Sequence, residues 1–157
     1  MAIPKGVTAI GRYAFKANRT MKHVSIPKTV TEIGFHAFED CTALEEADIP
    51  GSVKEIVSYA FMRCRKLRKV TLHPGLRKIA SWAFGDCESL TSITIPSTVR
   101  QIGHFALGFK QSSYREKYQY SIYDRYAYGL KIHHHGNRAV QEYIAWYKLS
   151  LVMLRQG

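Results

Sequence analysis

IPKTVTEIGFHAFEDCTALEEAD, residues 26–48, decides the fold, because nearly the same sequence is written four times in succession. The other copies are IPKGVTAIGRYAFKANRTMKHVS (3–25), IPGSVKEIVSYAFMRCRKLRKVT (49–71) and LHPGLRKIASWAFGDCESLTSIT (72–94), each of 23 residues. A fifth, IPSTVRQIGHFAL, starts at Ile95 and loses the pattern after Leu107. A fixed period of this length marks a solenoid, in which one repeat cannot bury its own apolar face and needs neighbours.

Aligned by their first residue, the copies give apolar columns that must point inward. They are Ile3, Ile26, Ile49, Leu72, Ile95; Val7, Val30, Val53, Leu76, Val99; and Ile10, Ile33, Ile56, Ile79, Ile102. An alanine column (Ala14, Ala37, Ala60, Ala83, Ala106) stands beside Phe15, Phe38, Phe61, Phe84 and Leu107. The small residue lets backbones approach while the aromatic fills the interior. The end of each copy reads L-x-x-V-x-I, the alternation of a short strand. The proline that follows (Pro27, Pro50, Pro96, displaced to Pro74) has no amide to donate, so strands of about three to five residues are expected. The column Gly11, Gly34, Val57, Ala80, Gly103 mixes residue types and so requires no positive φ. A brief helical or 3₁₀ turn is expected over A-F-x-x-C.

The pattern IPxxVxxIGxxAFxxCxxLxxVx resembles the BspA-type, or Treponema pallidum-type, leucine-rich repeat over residues 3–107. This resemblance implies an α/β solenoid: a right-handed coil with short parallel strands on the concave face, closed by a C-terminal helical cap. Residues 1–107 form the array and 108–157 the cap. Where other leucine-rich repeats carry an asparagine ladder, this chain has Thr29, Ser52, Gly75 and Thr98, so that work is expected to pass to Asn18, Cys41, Cys64 and Cys87. Three cysteines spaced by 23 stand in a row rather than converging on an ion, and are read as buried, unpaired thiols. No catalytic or phosphate-cradling signature is present, so the chain is read as no enzyme, with no cofactor and no metal site.

On the concave face the resemblance exposes three rows as a partner-binding surface. They are Lys22, Glu45, Arg68, Thr91; His23, Glu46, Lys69, Ser92; and Ser25, Asp48, Thr71, Thr94. Neighbours of opposite sign, such as Glu45 and Arg68, either hold the register or meet a peptide or loop. The chain carries a net charge of +11, with +6 in the array and +5 beyond it. A basic patch of Arg63, Arg65, Lys66, Arg77 and Lys78, with Arg68 and Lys69 close in sequence, is either a solvated edge or a site for sulfate or phosphate groups.

After Leu107 the composition turns tyrosine-rich. GFKQSSYREKY resembles the GYxGSxAExYA stretch that often follows such arrays, and Ser113 with Glu116 reads as the capping box of a helix reaching Tyr128, with Tyr114, Tyr118, Ile122 and Tyr126 as its stripe. Asn137 is placed to cap a last helix carrying Val140, Ile144, Tyr147, Leu151 and Leu154. That helix either packs down or leaves Trp146, Tyr147 and Met153 exposed for a homo-oligomer. His133, His134 and His135 alternate across an extended chain and cannot share one ion.

The function class is a protein-binding module, and the resemblance implies display on a bacterial cell surface or secretion, with adhesion to host extracellular-matrix or plasma proteins. A structural or oligomerising scaffold is the first alternative; binding of an anionic polysaccharide or similar polymer through the basic patch is the second. The chain shows no membrane-inserting run and no signal peptide, so its own compartment is not readable.

Overall fold

The computed structural model describes residues 3–107 and 130–154, with side chains through Trp146. The expected helix between Ser113 and Tyr128 lies outside the described residues.

Each coil carries two short strands. The first row is β1 (Ala9–Ile10), β3 (Glu32–Ile33), β5 (Glu55–Ile56), β7 (Lys78–Ile79) and β9 (Gln101–Ile102). The second row is β2 (His23–Ser25), β4 (Glu46–Ile49), β6 (Lys69–Leu72), β8 (Ser92–Thr94) and β10 (Lys131–His133). Helix α1 (Arg138–Leu154) follows. All pairings are parallel, in the ladders β1-β3, β5-β7-β9, β2-β4-β6 and β8-β10. The second row consists of strands of three or four residues stopping before or at the proline positions, as the missing proline amide requires. The first row goes beyond the sequence pattern, because two residues are too few for alternation to declare a strand.

Register is set by the period. Val24, Ala47 and Val70 pair in one column, as do Glu55, Lys78 and Gln101 in another. The inward columns meet between the two rows: Val30, Phe38, Leu44, Val53, Ile56, Phe61, Leu67, Ile79 and Phe84 are fully buried. The phenylalanine rings stack along the axis, with centroids 5.1 Å apart for Phe15–Phe38, 4.8 Å for Phe38–Phe61 and 5.3 Å for Phe61–Phe84. Each such pair contributes about 0.5–1.5 kcal/mol beyond the area it buries.

The A-F-x-x-C corner differs from the expected helical turn. Its amides alternate between a local and a cross-coil partner. Ala14, Lys16 and Asn18 donate to Gly11, Tyr13 and Phe15, three residues back, while Tyr13, Phe15 and Ala17 donate to Phe35, Ala37 and Glu39 of the next coil. Such alternation needs left-handed residues, and they recur with the period: Tyr13, His36, Tyr59, Trp82 and Phe105 in one column, Ala17, Asp40, Arg63 and Asp86 in the other, all with φ between 55° and 62°. A left-handed non-glycine residue costs about 1–2 kcal/mol, offset here by the cross-coil bonds and by stacking of the aromatic column. Tyr13–His36 and His36–Tyr59 both stand at 5.0 Å. The glycine column, as expected, has no positive φ. Two of its glycines instead allow close approach, since a Cβ on Gly34 would lie 2.5 Å from the Arg12 nitrogen and one on Gly103 2.4 Å from the Ser81 nitrogen.

Two columns share the cross-coil bonding that asparagine performs elsewhere. The thiols of Cys41, Cys64 and Cys87 donate to the carbonyls of Phe15, Phe38 and Phe61 at 3.1–3.2 Å. Burial pushes the Cys64 and Cys87 thiols well up, which suppresses the thiolate and its reactivity. The hydroxyls of Thr29, Ser52 and Thr98 donate to the carbonyls of Val7, Val30 and Leu76, each at 2.7 Å. Only the cysteine column was expected to do this.

At the far end Asn137 ties α1 to the fifth coil. Its Oδ1 accepts from the Val140 amide at 3.2 Å, and its Nδ2 donates to the Pro96 and Val99 carbonyls, both at 3.0 Å. Ala139, Val140 and Tyr143 are buried against the last coil. Asn137→Ala removes the cap and two carbonyl contacts and is expected to loosen the helix by about 2 kcal/mol. In hydrogen exchange the amides of 140–146 then exchange about 30-fold faster while coils two and three are unchanged; unaltered protection would mean that Asn137 is not the tie. Among the described residues no helix is long and apolar enough to cross a membrane.

Candidate functional site

The second row forms the readable surface. Strands β2, β4, β6 and β8 bury the apolar residue after their first position and turn its neighbours outward, and β10 half-buries Ile132 in the same place. His23, Glu46 and Lys69 therefore lie side by side, as do Ser25, Asp48 and Thr71, one coil apart. Lateral ion pairing follows from that placement. Arg68 donates to Glu45 at 3.1 Å and stands 3.5 Å from Glu46, and His23 lies 3.6 Å from Glu46. The hydrogen bond from Arg68 holds the Glu45 carboxyl below its usual range. His73 meets Asp48 at 2.7 Å.

Strand β10 extends these rows beyond what the repeat pattern announces. Lys131 pairs with Ser92, Ile132 with Ile93 and His133 with Thr94, so Lys131 and His133 join the second and third rows. The step from Ile93 to Ile132 is 39 residues instead of 23, which hid the strand from a search by period. Its remaining signal is the triplet Lys-Ile-His, polar-apolar-polar like His-Val-Ser and Ser-Ile-Thr. His134 falls in the column of Ile95, and its Nδ1 meets no partner among the described residues.

The sequence-adjacent cations do not gather. Arg63 turns back across the corner, its guanidinium 2.7 Å from Asp40 and 2.6 Å from Glu39, a buried carboxylate that also meets Lys16 at 2.6 Å and His36 at 2.9 Å. Arg65 stands 3.8 Å from Glu88, and Lys66 is exposed beside it. Lys69 belongs to β6 in the second row, whereas Lys78 belongs to β7 in the first and pairs with Glu55 at 3.0 Å. Arg77 precedes Lys78 on that same row. The Glu39 cluster was not found from sequence, because its column reads Lys16, Glu39, Met62, Gly85 and only the fold brings Arg63 to it.

Between β9 and α1 lies a groove of about 400 Å³, with Arg100, Gln101, His104, Glu142, Tyr143 and Trp146 in its walls. The His104 and Trp146 rings pack tilted against each other at 4.4 Å, and the Leu107 amide donates to the Tyr143 hydroxyl at 3.2 Å. Trp146 remains 39% exposed; Tyr147 and Met153, its expected companions on an exposed helix face, have side chains outside the described residues.

The model of the BspA type leucine-rich repeat region matches residues 1–114 in six copies. Among solved structures, a leucine-rich cell surface protein from Faecalibacterium prausnitzii is 28% identical, with a TM-score of 0.74 over 92% of this chain and 34% of its own. The T. pallidum leucine-rich repeat protein is 32% identical, with a TM-score of 0.63 over 68% of this chain and 52% of its own. A leucine-rich repeat protein from Bacteroides ovatus is 40% identical, with a TM-score of 0.59 over 66% of this chain and 29% of its own. The chain thus spans about a third to a half of these proteins. No curated protein matches it.

Proposed function

The chain belongs to the BspA type leucine-rich repeat family, and from that premise we propose that it is a non-enzymatic protein-binding module of a bacterial cell-surface or secreted adhesion protein. The observation that carries this reading is the row of outward side chains on the second-row strands, fixed by cross-coil register and continued through β10. Five strands at ~4.8 Å spacing offer a face roughly 20 Å wide, enough for an extended segment or a loop of a partner. Its acidic residues sit in the second coil, its cations flank them in the first and third and return on β10, and its fourth coil is hydroxyl-rich, so a partner with a basic group over the second coil, an acidic one over the third and a hydrogen-bonding one over the fourth fits it. The similarity to a protein described as a leucine-rich cell surface protein supports the compartment.

The test is binding of the purified chain to immobilised extracellular-matrix and plasma proteins, with a Glu46→Ala, Arg68→Ala, Lys69→Ala variant beside it. These exposed substitutions each shift stability within about 0.5 kcal/mol, so the variant stays folded. It is expected to lose tenfold or more in affinity for any protein that the wild type captures. Equal binding removes the concave face as the site, and a mass that rises with concentration while nothing is captured favours the oligomerising scaffold.

A further inference from the structure

The residue just before each of the last three first-row strands is a cation: Lys54 before β5, Arg77 before β7 and Arg100 before β9. They share one column, since the Arg77 amide donates to the Lys54 carbonyl at 2.8 Å and the Arg100 amide to the Arg77 carbonyl at 2.7 Å. All three are exposed. Successive coils stand ~4.8 Å apart, so three positive charges follow one another in a line, with Lys78 at the next position beside Arg77.

Like charges directly opposed across strands destabilise a sheet. The second row avoids this by alternating sign, His23 with Glu46 and Glu45 with Arg68. The first row accepts it. Among the described residues no carboxylate pairs with Arg77 or Arg100, and Lys54 Nζ donates only to the Gly51 carbonyl, at 2.8 Å. The line leads into the groove under α1, which Lys78, Arg100, Gln101 and His104 line together with Trp146 of the helix. The groove's one carboxylate, Glu142, is taken by Arg138 at 2.7 Å.

We propose that this column and groove bind a linear sulfated polysaccharide. Arg77 and Arg100 each present a planar fork that matches two sulfate oxygens, Lys54 adds a point charge in the same column, and Gln101 lines the groove beside Arg100 for sugar hydroxyls. The cations are spread along a line and do not converge, which suits a polymer and not a single small anion. A single-stranded nucleic acid would need open ring faces on which to stack its bases. Here the rings pack tilted against one another, Trp82 with Phe105 at 4.8 Å and 34° and His104 with Trp146 at 4.4 Å and 55°, and offer no flat run of ring faces. The site is separate from the second-row surface, so its failure leaves the protein-binding reading untouched.

The experiment is fluorescence anisotropy of a labelled heparin octasaccharide with the full chain, in parallel with its desulfated form and an oligothymidylate of the same length. With three charges engaged, affinity is expected to fall roughly 20-fold between 50 and 200 mM salt, as counterion release requires. Arg77→Gln with Arg100→Gln lowers affinity at least tenfold and flattens the salt dependence, while Arg65→Gln with Lys66→Gln, which removes the same net charge at the corner, changes it less than threefold. Both pairs expose no buried group, and matching thermal melts confirm that each variant is folded. Equal losses in the two pairs would reduce the effect to net charge and overturn the proposal. So would tight binding of the desulfated sugar, or an oligothymidylate that binds as tightly with the same sensitivity to Arg77 and Arg100.

Discussion

Phe61→Ala is expected to lower the unfolding free energy by about 3–5 kcal/mol. The ring is fully buried and stacked on both sides, 4.8 Å from Phe38 and 5.3 Å from Phe84. Truncating it opens a cavity at the centre of the column and deprives two neighbours of their contacts at once. Closing that cavity would require adjacent coils to approach one another, which the main-chain bonds on both sides of the corner resist: Phe38 to the Ala60 carbonyl at 2.8 Å and Phe61 to the Ala83 carbonyl at 2.9 Å. Since natural domains are stable by only about 5–15 kcal/mol, the loss is a large share of the total. Phe61→Leu should cost far less, about 1–1.5 kcal/mol, because the fifth coil already carries Leu107 in this column and buries it. Urea unfolding followed by circular dichroism measures both. An alanine variant as stable as the leucine variant would mean that the phenylalanine column fills no essential volume.

In a repeat protein each coil touches only its neighbours, so a local loss splits the stack into the parts on either side. Phe61 sits in the third of five coils, and the alanine variant separates two coils from the two that carry β10 and α1. The terminal members of the same column, Phe15 and Leu107, have a partner on one side only in the array, and Phe15 is only half-buried. Substitution at Phe15 therefore sacrifices one stack instead of two.

The fold was legible wherever a residue repeats its role in every coil. The isoleucine, valine, alanine and phenylalanine columns each name an interior position five times, and the structure buries every member except Val7, Ala14 and Phe15 of the first coil and Ile102 of the fifth. What escaped was of two physical kinds. Backbone conformation at the corner is set by hydrogen bonding between coils, and aromatic, acidic and basic residues all accept the left-handed geometry there, so no residue type advertises Tyr59 or Arg63 as left-handed. Strand β10 and its Lys131 and His133 were hidden because 16 residues beyond the period separate them from β8. On the candidate surface, the Glu45–Arg68 pair was readable from opposite signs one period apart. Arg63 was not, because sequence proximity to Arg65 and Lys66 suggested a shared patch while the left-handed turn carries its side chain to Glu39 and Asp40.

Arg63→Ala is expected to cost about 2–3 kcal/mol at neutral pH, somewhat under the 3–5 kcal/mol of a buried pair left wholly uncompensated. Glu39 is only 4% exposed, yet it keeps Lys16 at 2.6 Å and His36 at 2.9 Å when Arg63 is gone. Asp40 and Arg63 are each about a third exposed, 32% and 31% for their side chains, so water screens their share. Alanine retains a Cβ at a φ of 60°, so backbone strain is the same in both proteins. The cost should depend on pH in a definite direction. The Arg63 hydrogen bond holds the Asp40 carboxyl below its ordinary value, so its contribution is complete above the unfolded carboxyl near pH 3.9 and is lost as pH falls through the lower folded value. The variant lacks that contribution at every pH. The gap between wild type and Arg63→Ala is therefore expected to narrow as the pH falls from 7 to 3. Arg63→Lys should recover about half of the loss at pH 7, since an ammonium supplies the charge without the fork that spans both carboxylates. Urea unfolding of the three proteins at the two pH values decides the matter: a gap that stays constant would assign the role of Arg63 to packing of its stem across the corner, and leave the ion pairs as bystanders.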